Sequence, residues 1–150
     1  MTPAQLLQFI RSQRLAVEAS VSPASGAQAA VVGIAVTNDF EIIFDTVETT
    51  RKARNLRQNP KIALVIGGLS PGDERTVQYE GIADEPHGRE LQRIKNAYFE
   101  VWPDGRIRQT WPGLTYIRAR PTWIRYSDYN HDPPEIVEFD AKALSGTASR

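Results

Sequence analysis

Between residues 15 and 139 the chain repeats one pattern: short apolar or alternating runs, each closed by turn formers, with few helical stretches between them. The runs at 15–22, 29–36, 40–46, 61–67, 75–83, 114–128 and 135–139 read as strands, because β-branched and aromatic residues at a period of two suit a pleated surface. Pro23 to Gly26, Asn38-Asp39, Ser70-Pro71-Gly72 and Pro103-Asp104-Gly105 supply the turns. Helical spacing is confined to residues 2–13, 50–58 and 86–101. Three helices are too few to alternate with so many strands in a doubly wound sheet. The expected fold is therefore mainly β: an antiparallel barrel of six or seven strands with helices packed outside it.

Finer expectations follow from each run. Residues 15–22 alternate, with Leu15, Val17, Ala19 and Val21 as the inward set. The continuous apolar runs 29–36 and 61–67 suggest strands covered on both faces. In 75–83, Val77, Tyr79 and Gly81 face one side and Gln78, Glu80 and Ile82 the other. Pro121 interrupts the longest strand and calls for an edge, a bulge or a bend. Thr2-Pro3-Ala4-Gln5 reads as a helix-capping box rather than the start of a signal peptide. With no repeat or linker in view, residues 1–140 form one domain, and the small, polar segment 141–150 is a flexible tail.

Composition removes several classes of function. A formal net charge of zero offers no field for nucleic acid or an acidic membrane surface. The absence of Cys excludes thiolate catalysis and cysteine metal sites, and suits a cytoplasmic protein. No run approaches the roughly 20 apolar residues of a membrane span. His87 and His131 read as surface residues, Asp128, Asp132 and Glu135 as an ordinary loop, and Gly67-Gly68 lacks the Lys-Ser/Thr of a P-loop. No catalytic residue and no metal site is assigned. The aromatic and basic residues from Tyr116 to Tyr126 suit barrel-wall packing better than stacking on single-stranded nucleic acid.

The strongest chemical signal is the segment from Thr46 to Arg57. Thr49 or Thr50 caps a helix that Asn59-Pro60 ends, yet its first turn carries Arg51 and Lys52 and no acidic residue. Cations are disfavoured at a helix N-terminus, where the macrodipole already places about half a positive charge. Free amides, a hydroxyl and two cations together make an anion site, most naturally for a phosphate. A solvated basic helix face is the competing reading. Gln78, between apolar neighbours, reads as a buried glutamine that must find hydrogen-bond partners, and its amide offers the donor and acceptor that a heterocycle edge needs.

The run Ile43 to Lys52, followed by Asn59-Pro60-Lys61-Ile62-Ala63-Leu64 and by Val77-Gln78-Tyr79-Glu80-Gly81-Ile82-Ala83, resembles the pyridoxamine 5′-phosphate oxidase-like family, the FMN-binding split barrels. That resemblance implies FMN as cofactor, with Arg51, Lys52 and Thr50 on its phosphate. It also implies that Asp45 and Thr46 line the flavin edge, largely through backbone, and that Gln78 meets the ring or ribityl chain. A homodimer with the cofactor between subunits, and hydride transfer to or from a small molecule, belong to the same expectation. Trp111 and Tyr98 are secondary candidates for ring stacking. The true oxidase's earlier-strand Arg and Lys fall on Ala30 and Ala35, Asp45 replaces an aromatic, and the C-terminal substrate-phosphate motif has no match. The chain thus reads as a divergent member. Relatives of the fold also use F420 or haem, and a non-catalytic flavin, haem or stress-response module or an F420-dependent reductase is the alternative function.

Overall fold

A computed structural model describes residues 1–145. The helices are α1 (Pro3–Ser12), α2 (Arg51–Gln58), α3 (Gly88–Val101), α4 (Gly105–Arg108) and α5 (Ala141–Ser145). The strands are β1 (Leu15–Val21), β2 (Ala27–Gly33), β3 (Ala35–Val36), β4 (Ile42–Val47), β5 (Lys61–Gly67), β6 (Arg75–Asp84), β7 (Leu114–Asp128) and β8 (Glu135–Asp140). All eight join one antiparallel sheet in the order β2-β1-β5-β6-β7-β4-β3, with β8 on the far half of β7. β2 and β3 end this order on opposite sides, yet only Ile34 separates them in the chain. The sheet must therefore curl until its edges approach, which makes it a half-barrel flanked by helices.

Two cores result. Leu6, Phe9 and Ile10 of α1 plug the barrel against Ile42, Phe44, Leu64, Tyr79 and Ile124. Outside it, Ile94, Tyr98 and Phe99 of α3 cover Ala35, Ile43 and Tyr116. β4 is thus apolar on both faces because each face has a partner. At the Pro121 interruption the register passes from Glu80↔Trp123 to Gly81↔Pro121, leaving Thr122 as the extra residue of a bulge. Glycine is required opposite it, since a Cβ at Gly81 would lie 2.4 Å from the Arg120 carbonyl oxygen.

Several expectations need correction. The inward residues of β1 are Ala16, Glu18 and Ser20, so Leu15, Val17, Ala19 and Val21 face outward. β2 and β5 are half-buried rather than covered on both faces; Val31 and Val65 are 63 % and 42 % exposed. The run 29–36 is two strands, broken between Gly33 and Ala35. Phe40 belongs to the turn rather than to β4: its φ is 60°, and the Tyr79 hydroxyl holds its carbonyl oxygen at 2.9 Å. The segment expected as a tail begins with α5, whose Leu144 is buried; residues 146–150 lie outside the described residues.

Candidate functional site

The start of α2 is built from the end of β4. Thr46 and Thr50 meet hydroxyl to hydroxyl at 2.9 Å, and Thr50 Oγ1 accepts from the Ala53 amide at 3.4 Å, so Thr50 is the N-cap. Asn55 pins the helix down by donating to Ser20 Oγ and to Gln28 Oε1, each at 3.1 Å, while Ala53 and Leu56 enter the core. Arg51 is exposed and Lys52 half-buried, and neither forms an ion pair among the described residues. Arg57, in the last turn, is instead committed to Glu85 at 2.8 Å and to Glu48 at 3.5 Å. The first-turn amides add donors that no preceding helical carbonyl can satisfy.

Adjacent strand residues point to opposite faces, and this separates Asp45 from Thr46. The Asp45 carboxylate accepts from Arg108 Nε at 2.8 Å, beside the Tyr98 hydroxyl on the α3 side of the sheet. Burial, with Asp45 nearby, pushes the Tyr98 hydroxyl up to about 12. Asp45 can therefore offer a ligand at α2 only its backbone. Tyr98 is packed against Phe99 and Tyr116, whereas Trp111 is exposed.

Gln78 is exposed on the outer face of β6, which corrects the premise that it is buried. It sits between Val65 and Arg125 in register, beside a depression of about 310 Å³ lined by Val17, Ala19, Ala63, Val65, Gln78 and Trp123 among others. No residue of 45–52 reaches that depression. One chain thus gathers Thr46, Thr50, Arg51 and Lys52, but leaves Gln78 on a separate surface. A larger groove of about 660 Å³, between α1, β3 and α3, contains none of the expected site residues.

Two features escaped the sequence reading. Glu18 is fully buried, neither of its carboxylate oxygens accepts a hydrogen bond from a described residue, and its register partner is Ala30. Burial, opposed by Lys52, raises its carboxyl to about 7. A lone Glu inside a β-branched strand was the available signal. Second, Arg118 is buried within reach of Glu41 at 3.3 Å, Asp84 at 2.7 Å and Glu90 at 2.6 Å, and Arg93 binds the same Glu41 at 2.8 Å. This network ties β6, β7, α3 and Glu41, the residue before β4, together. It turns Tyr116 and Arg118 toward α3 while Trp123 borders the outer depression, so the basic and aromatic residues of β7 form no single stacking surface. His131 stands 3.3 Å from Asp128, near Glu135, but Asn130 and the Met1 amino group already hold those carboxylates.

Comparison with known proteins bears on the fold and the family. No curated protein matches the sequence. Among solved structures, a heme binding protein from Mycobacterium smegmatis superposes with a TM-score of 0.82 at 15 % identity, covering 97 % of this chain and 61 % of that one. This chain thus spans about three fifths of that relative's length. A pyridoxamine 5′-phosphate oxidase-related, FMN binding protein from Nostoc punctiforme gives 0.68 at 15 % identity, covering 91 % and 87 %. HutZ, the heme storage protein of Vibrio cholerae, gives 0.69 at 12 % identity, covering 81 % and 91 %. At such identities the likeness shows the fold alone. The sequence itself matches the family profile described as pyridoxamine 5′-phosphate oxidase over residues 2–128, and to that family the chain belongs.

Proposed function

We propose that the protein is a flavin-binding oxidoreductase that holds FMN by its phosphate at the start of α2. The observation that carries this reading is the pair of cations, Arg51 and Lys52, standing without ion-pair partners among the described residues at a capped helix N-terminus. FMN, when bound, supplies hydride transfer to or from a small molecule. The chain's own residues bind and orient it. Arg51 and Lys52 make charge-assisted bonds to the phosphate, first-turn amides add to them, and the Thr46–Thr50 hydroxyl pair borders the same point. The Gln78 amide offers a donor and an acceptor to the ring or ribityl chain, and Asp45 contributes backbone only.

A second copy of the chain completes the site in this reading. The outer sheet face around Gln78 is apolar, with Val31 and Val65 exposed and Val17 half-buried, which supports a homodimer. A cytoplasmic setting, with no nucleic-acid or membrane partner, accords with the neutral charge and absence of Cys; among the described residues no helix is long and apolar enough to cross a membrane.

An absorption spectrum of the purified protein, followed by FMN titration, is the test. Arg51→Ala with Lys52→Ala is expected to cost about 3–6 kcal/mol of FMN affinity, at about 1.5–3 per charge-assisted bond. Unchanged affinity in that double variant refutes the phosphate site. A haem band would move the reading to haem, which two structural neighbours are named for, and a deazaflavin spectrum would move it to F420. Turnover with NAD(P)H and an acceptor separates an enzyme from a flavin carrier or stress-response module.

A further inference from the structure

Glu18 is the side chain beside the α2 site whose chemistry the reading above leaves unused. Strand and helix periods place it on the face of β1 that α2 covers. Asn55 donates to Ser20 Oγ at 3.1 Å. Glu18 lies two residues before Ser20, on the same face of β1. Lys52 lies three residues before Asn55, on the same face of α2. The Asn55–Ser20 bond thus brings this face of α2, Lys52 included, against the Glu18 face of β1.

Lys52 is also the charged side chain whose field reaches this carboxyl. The flanking strands present no charge, since the register partners of Glu18 are Ala30 on β2 and Leu64 on β5. Ser20, Gln28 and Asn55, the polar groups beyond, are neutral. An ionised Glu18 is thus a buried charge without a hydrogen bond, a costly state. It engages the charge of Lys52 and repels an anion arriving at the same helix start. A neutral Glu18 does neither.

We propose that Glu18 couples anion binding at the start of α2 to proton uptake: a phosphate group binds there together with one proton, which passes from solvent to a Glu18 carboxylate oxygen. This rests on the reading of α2 as the FMN phosphate site. By linkage, phosphate raises the proton affinity of Glu18 and protonation raises the affinity for phosphate by the same factor. The ligand's own titration has the opposite sign. A phosphomonoester completes its second ionisation near pH 6, which favours binding as pH rises, whereas Glu18 favours binding as pH falls. The carboxyl, raised to about 7 by burial against the opposing field of Lys52, places its effect in the range where the phosphate is already mostly dianionic.

Isothermal titration of FMN into the full chain and into Glu18→Gln, between pH 7 and 8.5 in two buffers of different ionisation enthalpy, tests the coupling. The natural chain is expected to take up as much as one proton per FMN, and to lose affinity by up to about tenfold per pH unit relative to the variant. Glu18→Gln is expected to bind FMN without proton uptake and with a flat profile. FMN binding with the same pH profile in both proteins overturns the role of Glu18 and leaves the phosphate site standing. Failure of both proteins to bind FMN at any pH overturns the phosphate site and the coupling with it. Where Glu18→Gln does not fold, proton uptake by the natural chain decides alone, and zero uptake at pH 7.5 overturns the proposal.

Discussion

Glu18→Gln also has a consequence for the ligand-free protein, and its size follows from the structure. The side chain is 0 % exposed with both oxygens unpartnered among the described residues, and burial raises its carboxyl from 4.5 to about 7. Each unit is worth about 1.4 kcal/mol, so ionisation in the folded state costs about 3 kcal/mol relative to the unfolded chain. Because the folded pKa is the higher one, the stabilising contribution is complete below about 4.5 and is lost as pH rises through about 7. Glutamine has no charge to bury at any pH. The stability difference between the variant and the natural chain should therefore shift by about 3 kcal/mol in favour of the variant between pH 4 and pH 8.5, whatever constant the amide itself contributes. For a chain of this size that is a relative shift of about 6–12 °C in Tm. Urea denaturation at half-unit pH intervals, with the slope m monitored for both proteins, measures it directly. Other titrating groups cancel in the difference. A difference that stays flat within about 0.5 kcal/mol over that range would refute the argument, because it would mean that the carboxylate finds a partner or water when ionised.

Arg118→Met should destabilise the fold by about 3–5 kcal/mol, because Glu41, 5 % exposed, keeps only Arg93 as a cation among the described residues; a loss under 1 kcal/mol in urea denaturation would show that the network is replaceable. Burial pushes the Glu41 carboxyl up, but its bonds from Arg93 and Thr37 outweigh this and hold it below the usual carboxylate range. Its stabilising contribution is thus present at neutral pH and is lost in acid as pH falls through the lowered value, so Arg118→Met should flatten the acid limb of a stability profile. Tyr79→Phe keeps the ring but removes a hydroxyl that stands 2.9 Å from the carbonyl oxygens of both Phe40 and Ala119. A cost of about 1–3 kcal/mol at unchanged m is expected, and no change in midpoint would show those carbonyls to be satisfied otherwise.

Much of the start of α2 was readable in one dimension because its determinants are local. The Thr50 cap, the misplaced cations Arg51 and Lys52 and the stop at Asn59 are contacts within one short helix, and the structure keeps all three. The alternation of β6 put Tyr79 and Gln78 on opposite faces, as found. Pro121 called for an edge, bulge or bend and sits at a bulge. Less legible was what covers each face. The runs 29–36 and 61–67 looked doubly buried because small and β-branched residues occupy both alternating sets, yet in the single chain only one set meets a core.

From the residues alone came the strands and turns, the mainly β antiparallel architecture and a cationic helix start shaped for an anion. Tertiary structure decided which side of each strand became interior. For β1 a period of two yields two candidate faces, and no local rule prefers Ala16, Glu18 and Ser20 over Leu15, Val17 and Ala19. The choice is made by α2, some 35 residues away, whose Asn55 bonds Ser20 and whose Lys52 charge reaches Glu18. A buried acid facing a helix that starts with cations is a property of that docking, and exists only once strand and helix have met.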